Sequence, residues 1–442
     1  MKSMNRSLAV AVAAAAIGWV MAMNLVDPSG SAASAQAGFE PNYEEAKVPA
    51  YTLPDPLALP GRPPVTSAAD WRARGRGEVW ELFAEQVYGR APGRPAELQF
   101  LRPRADERAL DGMAIRREVI VRVGTAAQHL DIHLLIYFPQ EVARPVPCFV
   151  GLNFRGNHTI QDDPGITIYP QWVRDTGGAE SSQLPSEETR GSQKSRWSVA
   201  DILHRGYAVA TAYYGDIDPD YHDGFRNGIH ALYPAGPPGA ARPANAWGSI
   251  AAWAWGLSRI VDYLETDPDI QSARIALMGH SRLGKTALWA GATDERFSIV
   301  ISNDSGCGGA ALSRREFGET VGRINTSFPH WFCDNFKQYN QRVAECPVDQ
   351  HMLIALVAPR PVLVCSAEED RWADPHGEFL GAQGADAVYR LLGTDGMAAT
   401  SMPGVNELVR SRIGYHIRPG QHDVLASDWQ VYMDFAAQHW RD

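Results

Sequence analysis

The segment "GHSRLGKT", residues 279–286, puts a hydroxyl and an ammonium one helical turn apart and fits two patterns of opposed chemistry. Read as G-x-x-x-x-G-K-[ST], it is a loop that cradles phosphates. Read around Ser281, it is a sharp strand-to-helix turn that presents a nucleophile. The phosphate reading wants an early strand and an acidic partner for Mg²⁺, but this segment lies deep in the chain and follows a helical stretch. Acyl transfer wants an acid and then a histidine further on. Asp304 closes "SIVISND", Asp370 closes "RPVLVCSAEED" beside Glu368 and Glu369, and His422 lies in "RPGQHDVLASDW". In that chemistry Ser281 attacks an ester carbonyl and His422 takes its proton and returns it to the leaving alcohol. A carboxylate, Asp304 or Asp370, holds the imidazole and steadies its charged form. Arg282 follows the nucleophile, where a backbone N–H meets the developing oxyanion, and its guanidinium adds a charge-assisted donor.

These residues must be carried by strand ends. Trp247–Ile270 reads as a helix, "RIALMGH" as a strand, Ser281 as the turn, and "RLGKTALWAGATDERF" as the next helix. The runs "VPCFVGLNF", "YAVATAYYG", "SIVISND", "RPVLVCSAEED" and "IGYHIRP" alternate with helix-length segments, which predicts a mostly parallel sheet covered on both faces. "IRREVIVRVG" and "LDIHLLIYFP" read as a hairpin. "SAADWRARGRGEVWELFAEQVYG" reads as a capped helix with Trp80, Leu82, Phe83 and Val87 inward. The order Ser, acid, His along such a sheet is that of the α/β-hydrolase fold. The expectation is therefore an α/β three-layer sandwich of that fold. Residues 67–442 form one catalytic domain after a Pro-rich lead, 38–66, which wraps over the surface.

Residues 1–37 begin with Lys2 and Arg6, pass through "LAVAVAAAAIGWVMAMNLV" and reach Ala35-Gln36-Ala37, the pattern of a secretory signal cleaved near Ala37. The mature chain is then secreted or periplasmic, with no membrane attachment, where nucleoside triphosphates are scarce. A net charge of −10 argues against nucleic acid as a partner. The 45% hydrophobic content is ample for a large core. Cys148 and Cys365 sit in apolar runs and read as buried thiols, whereas Cys307, Cys333 and Cys346 leave room for one disulfide. No metal-ligand spacing such as C-x-x-C or H-E-x-x-H occurs, so neither metal nor cofactor is expected. The expected state is a monomer.

"SRLGK", "NDSGCGG", "EEDRWADP" and "PGQHD" together resemble the glucuronoyl esterases of carbohydrate esterase family 15, over roughly residues 60–440. The sharpest element is S-R-x-G-K with an acid 23 residues after the serine, before Ser-Gly-x-Gly-Gly. The resemblance implies hydrolysis of esters between glucuronic acid side chains of xylan and alcohols of lignin. It also implies an oxyanion role for Arg282, a sugar-hydroxyl contact for Lys285 and a sugar-lining role for Trp372. Trp331, in "SFPHWFCDNF", matches a family tryptophan but lacks the Glu that precedes it in fungal members. The family uses the earlier acid position in some members and the later in others, and Asp304 and Asp370 are expected to share the task here, at positions of which the earlier is Glu in fungal members. Fungal members also join the residues before the serine and after the histidine by a disulfide. Here those are His280 and Asp423, which an ion pair or hydrogen bond would link. The loop "NFRGNHT" is expected at the pocket rim, where the fold supplies a second oxyanion N–H. The alternatives are an acetyl xylan esterase or other small-ester hydrolase, and a secreted non-catalytic carbohydrate-binding protein. Polar Arg282 and Lys285 favour a uronate site over a lipase-like one.

Overall fold

The computed structural model describes residues 39–170, 173–174, 182–237 and 239–441. The expected signal, residues 1–37, lies outside them. Ten strands form one sheet: β1 (Leu98–Arg108), β2 (Ala114–Gly124), β3 (His129–Pro139), β4 (Val146–Asn153), β5 (Ala208–Tyr213), β6 (Ile270–His280), β7 (Ile299–Asn303), β8 (Val362–Ala367), β9 (Leu408–Val409) and β10 (Ile413–Arg418). Their spatial order is β1-β2-β3-β5-β4-β6-β7-β8-β10-β9. Pairing is parallel from β5 to β10 across the centre and antiparallel at both margins. This is the expected mostly parallel α/β-hydrolase sheet.

Parallel strands covered on both faces have no solvent side, and accordingly every residue of β5, β7, β8 and β10 is buried. Alternate side chains feed two cores. Cys148, Val150, Ile275 and Leu277 join one face with Phe83, Trp253 and Trp289. Phe149, Ala276, Met278 and Ile301 join the other with Trp429, Tyr432 and Phe435. The first face is covered by α1 (Arg76–Gln86), α3 (Ser249–Leu264) and α4 (Arg282–Thr293). The second is covered by α2 (Val199–His204) and α7 (Ala426–His439), while α5 (Gln350–Ala355) and α6 (Pro375–Gly384) add Leu353, Ile354, Phe379 and Ala382 to the first core. Every residue of α3 is buried, so this helix lies inside the layer rather than on it. No helix of the described residues is long and apolar enough to cross a membrane.

The expected hairpin is present, with β2 and β3 paired from Ala114 opposite Pro139 to Gly124 opposite His129. The helix beginning at Ser67 is also present. Ser67 Oγ caps it, a π-helical turn spans Trp71–Gly75, and Phe83 and Val87 are fully buried. Strand β1 carries no alternating pattern and contains Pro103, so sequence periodicity does not mark it. It survives as the sheet edge because its register breaks between Leu101 and Arg104, where a proline without an N–H is tolerated. Cys148, Cys307, Cys333, Cys346 and Cys365 are all buried free thiols, so the disulfide allowed among Cys307, Cys333 and Cys346 does not form. Burial pushes the Cys333 and Cys346 thiols up to about 12, which keeps both protonated. Residues 39–66 run over the surface with one short 3₁₀ turn at Glu45–Lys47, pinned where His351 Nε2 meets Pro54 O at 2.8 Å.

Candidate active site

Ser281 joins β6 to α4 with φ 57° and ψ −128°, a conformation that costs a non-glycine residue about 1–3 kcal/mol. Two glycines make the turn sterically feasible. A Cβ on Gly279 would lie 1.9 Å from Leu283 O, and one on Gly284 would lie 2.9 Å from Ser305 Cβ. The second glycine of the motif therefore falls at 284 because that position, not 283, meets the neighbouring loop. Ser281 N–H donates to Asn303 O at 2.9 Å, which holds the turn against the end of β7.

The histidine and its acids come from the next strand ends. His422 follows β10, and its Nδ1 lies 2.6 Å from Oδ2 of Asp370, which follows β8. Asp304 follows β7 with φ 46° and is buried. Its Oδ2 accepts from Asn303 Nδ2 at 3.0 Å and stands 3.6 Å from Arg418 Nη2. One ligating atom each from Asp304, Asp370 and His422 lies within 4.8 Å of the others. Burial first, and the Asp370 carboxylate second, hold the Asp304 carboxyl well above the usual carboxylate range, against the pull of Arg418.

His280 packs its ring 4.4 Å from that of His422. Burial first, then His422 and nearby arginines, keep His280 neutral. It does not pair with Asp423, contrary to expectation. Asp423 Oδ1 pairs with Arg196 at 2.6 Å. Asn303 makes the link instead, since its Nδ2 lies 3.0 Å from His280 Nδ1 and 3.1 Å from Asp423 O. A side-chain amide at the end of β7 reaches both loops, whereas the two side chains expected to meet face different partners.

Arg282 and Lys285 open α4, and both are buried, so neither is a solvated helix charge. The Arg282 guanidinium forms an ion pair with Asp220 and lies 4.9 Å from the centre of the Trp331 ring. Burial is the largest influence and opposes its charge, but Asp220 and Tyr214 together outweigh it and hold the guanidinium above its ordinary range. Arg282 Nε is buried without a hydrogen-bond partner, an unused donor beside the elbow. Lys285 Nζ donates to Ser305 O at 2.5 Å. Burial lowers the affinity of Lys285 for its proton, and Glu319 acts against that shift. Trp372 is half-buried in the loop after Asp370 and keeps part of its ring accessible.

Trp331 differs from expectation. It is 3% exposed, donates Nε1–H to Asp220 Oδ1 at 2.7 Å, and stacks on Phe328 at 3.7 Å. With its N–H and one face engaged, it backs Arg282 and Lys285 from behind instead of lining the opening. The loop "NFRGNHT" folds on itself: Asn153 Nδ2 donates to Asn157 Oδ1 at 2.7 Å, and Gly156 N–H donates to Asn153 Oδ1 at 2.8 Å. It carries Phe154 to 5.7 Å from Tyr214 and 6.2 Å from His280.

Sequence reasoning missed Asp220, Glu319 and Glu378. Asp220 accepts from Arg282, from Trp331, from His330 Nε2 at 2.9 Å and from Tyr214 Oη–H at 3.0 Å. Nothing in "DIDPDYHD" separates it from its acidic neighbours. Glu319, in "REFGET", is half-buried. Desolvation raises its carboxyl against the pull of Lys285, Arg282 and Arg323. Glu378 Oε1 accepts from Ser305 N–H at 2.7 Å and Gly306 N–H at 2.9 Å, and its Oε2 accepts from Ser366 Oγ–H at 2.6 Å. It thereby fixes the loop after Asp304, whose Ser305 carbonyl holds Lys285.

An open, mostly parallel sheet with a strained serine elbow after β6 and a histidine after β10 defines an α/β-hydrolase. Residues 242–393 match the family model described as "Glucuronyl esterase, fungi". A carbohydrate esterase from an unknown prokaryotic organism is 54% identical over 90% of this chain and 92% of its own length. A solved structure of a promiscuous CE15 esterase from a marine bacterial metagenome superposes with a TM-score of 0.84 at 54% identity, covering 90% of this chain and 100% of that one. A glucuronoyl esterase from Solibacter usitatus gives 0.84 at 46% identity, over 89% and 100%. The chain belongs to the glucuronoyl esterases, carbohydrate esterase family 15, and is a carboxylic ester hydrolase.

Proposed function

We propose that this chain hydrolyses esters joining glucuronic acid side chains of xylan to lignin alcohols, through Ser281, His422 and Asp370. The observation that carries the substrate class is the trio of charges beside the elbow: Arg282 and Lys285 buried, and Glu319 half-buried opposite them. An acyl-chain esterase has no use for desolvated charges, whereas a uronate offers hydroxyls to match them.

His422, held through Nδ1 by Asp370, takes the Ser281 proton as Oγ attacks the ester carbonyl. The oxyanion is met by the Arg282 backbone N–H at the start of α4, where helix-end donors favour negative charge, and by its guanidinium. His422 then protonates the alcohol as it leaves, and an acyl-enzyme remains on Ser281. Water, deprotonated by His422, releases glucuronic acid. Asp304 stands beside this pair with its carboxyl raised by burial, and Asp370 alone contacts the imidazole. Lys285 and Glu319 bind ring hydroxyls, and Trp372 offers an apolar ring to the sugar face. We read the protein as an exported monomer whose residues 1–37 are removed near Ala37.

Ser281→Ala removes one hydroxyl and little packing. It is expected to abolish turnover of methyl glucuronate while the thermal unfolding curve stays unchanged. Substantial turnover by the purified variant would remove Ser281 from this role. Comparing methyl glucuronate, acetylated xylan and a short fatty ester as substrates separates the reading from an acetyl xylan esterase.

A further inference from the structure

Residues 39–47 strap the loops that carry the sugar-facing groups. Gly318 N–H donates to Asn42 O at 2.8 Å, and Glu319 N–H donates to Trp372 O at 3.0 Å. A Cβ on Gly318 would lie 2.5 Å from Trp372 O, so the turn bearing Glu319 is pressed against the loop bearing Trp372, with the strap fastened to both. Arg371 donates to Tyr43 O, and Glu45 pairs with Arg315 at 2.6 Å. The Tyr43 phenol is raised above its ordinary range first by burial and then by the Asp370 carboxylate, which puts this part of the strap within electrostatic reach of the acid that holds His422.

Phe39 stands at the start of this strap. Its ring meets Trp372 edge-to-face at 6.2 Å, and the Arg323 guanidinium lies 5.5 Å from its centre. Phe39 and Trp372 are both half-buried, so the pair leaves adjoining apolar surface accessible. Resting on the glucuronoyl esterase reading above, we infer that Phe39 extends the Trp372 surface into a subsite for the saccharide from which the uronate hangs. The ester carbon must sit at Ser281, and the departing alcohol must reach His422 for its proton. The uronate ring then lies among Lys285, Glu319 and Trp372. Phe39, in contact with Trp372, is then placed to flank the substituents of the ring that Trp372 does not cover. An aromatic ring with accessible apolar surface suits a pentose, whose C–H face packs on it.

The test measures kcat/KM for methyl glucuronate, benzyl glucuronate and the methyl ester of a glucuronic acid carried on a xylo-oligosaccharide. Wild type is compared with Phe39→Ala, Phe39→Leu and Phe39→Tyr, each checked by thermal unfolding. The ratio of oligosaccharide ester to methyl ester is expected to fall about three- to tenfold in the Ala and Leu variants, mostly through KM, as for the loss of one aromatic contact. The Tyr variant is expected to keep it. An unchanged ratio, an equal loss on all three esters, or a selective loss on the benzyl ester would overturn the inference while leaving the esterase reading intact. Wild type that cleaves p-nitrophenyl acetate but no glucuronate ester would instead overturn the reading beneath it.

Discussion

His422 Nδ1–H donates to the acid after β8, Asp370 at 2.6 Å, and not to the acid after β7, Asp304, although both carboxyls reach the same small space. Two carboxylates this close cannot both ionise cheaply, and burial together with Asp370 raises the Asp304 carboxyl. The sharing expected from the sequence thus becomes a division of labour. Asp370→Asn should lower kcat by about 10³–10⁴, near the 10⁴ that the equivalent change costs a serine protease. Asp304→Asn should cost about tenfold or less, because an amide of the same shape replaces an acid that His422 Nδ1 does not contact. The check is kcat on methyl glucuronate for both singles and the double. Asp304→Asn matching the double, with Asp370→Asn near wild type, would reverse the assignment.

Lys285→Met keeps the aliphatic stem against Trp331 and deletes the ammonium held by Ser305 O. KM for methyl glucuronate should rise at least about tenfold, the scale of one charge-assisted hydrogen bond. kcat/KM for p-nitrophenyl acetate should fall much less. Equal losses on both substrates would make the lysine a support of the loop alone.

Asp220→Ala leaves the Arg282 guanidinium buried without its counter-charge. Breaking a buried pair on one side costs about 3–5 kcal/mol, and here Trp331, His330 and Tyr214 lose an acceptor as well. Urea unfolding should therefore report a loss at the upper end of that range. Asp220→Asn, which keeps the acceptor oxygen but not the charge, should lose less.

Burial first raises the Glu378 carboxyl to about 7, from an ordinary 4.5. A carboxyl with a raised folded value contributes stability that is full below about 4.5 and disappears as pH climbs through about 7. Wild type should thus lose more unfolding free energy between pH 5 and pH 8 than Glu378→Gln, whose amide cannot titrate. Parallel urea curves at both pH values decide it. Identical slopes for the two proteins would show that Glu378 does not change protonation in this range.

The sequence by itself determined what depends on local pattern. Continuous apolar runs ending in Asn, His or Asp announced parallel strands, because a strand buried on both faces must be apolar throughout. The glycines around Ser281 announced the elbow, because only a missing Cβ lets the turn close. The order of Ser281, Asp370 and His422 followed from which strand ends carry polar residues. The tertiary structure decided what depends on distance between strand ends. Asp304 and Asp370 have equal standing in the chain, and only the meeting of the β7, β8 and β10 ends gives the hydrogen bond of His422 to Asp370 and the deeper burial to Asp304. Asp220, Glu319 and Glu378 carry no motif, since a buried acid is distinguished by the cations and N–H groups that converge on it from other segments. Trp331 reads as a pocket residue by its neighbours in sequence, yet Asp220 and Phe328 turn it inward. Local steric demands are written residue by residue, whereas burial and charge pairing belong to residues far apart in the chain, and so only the fold supplies them.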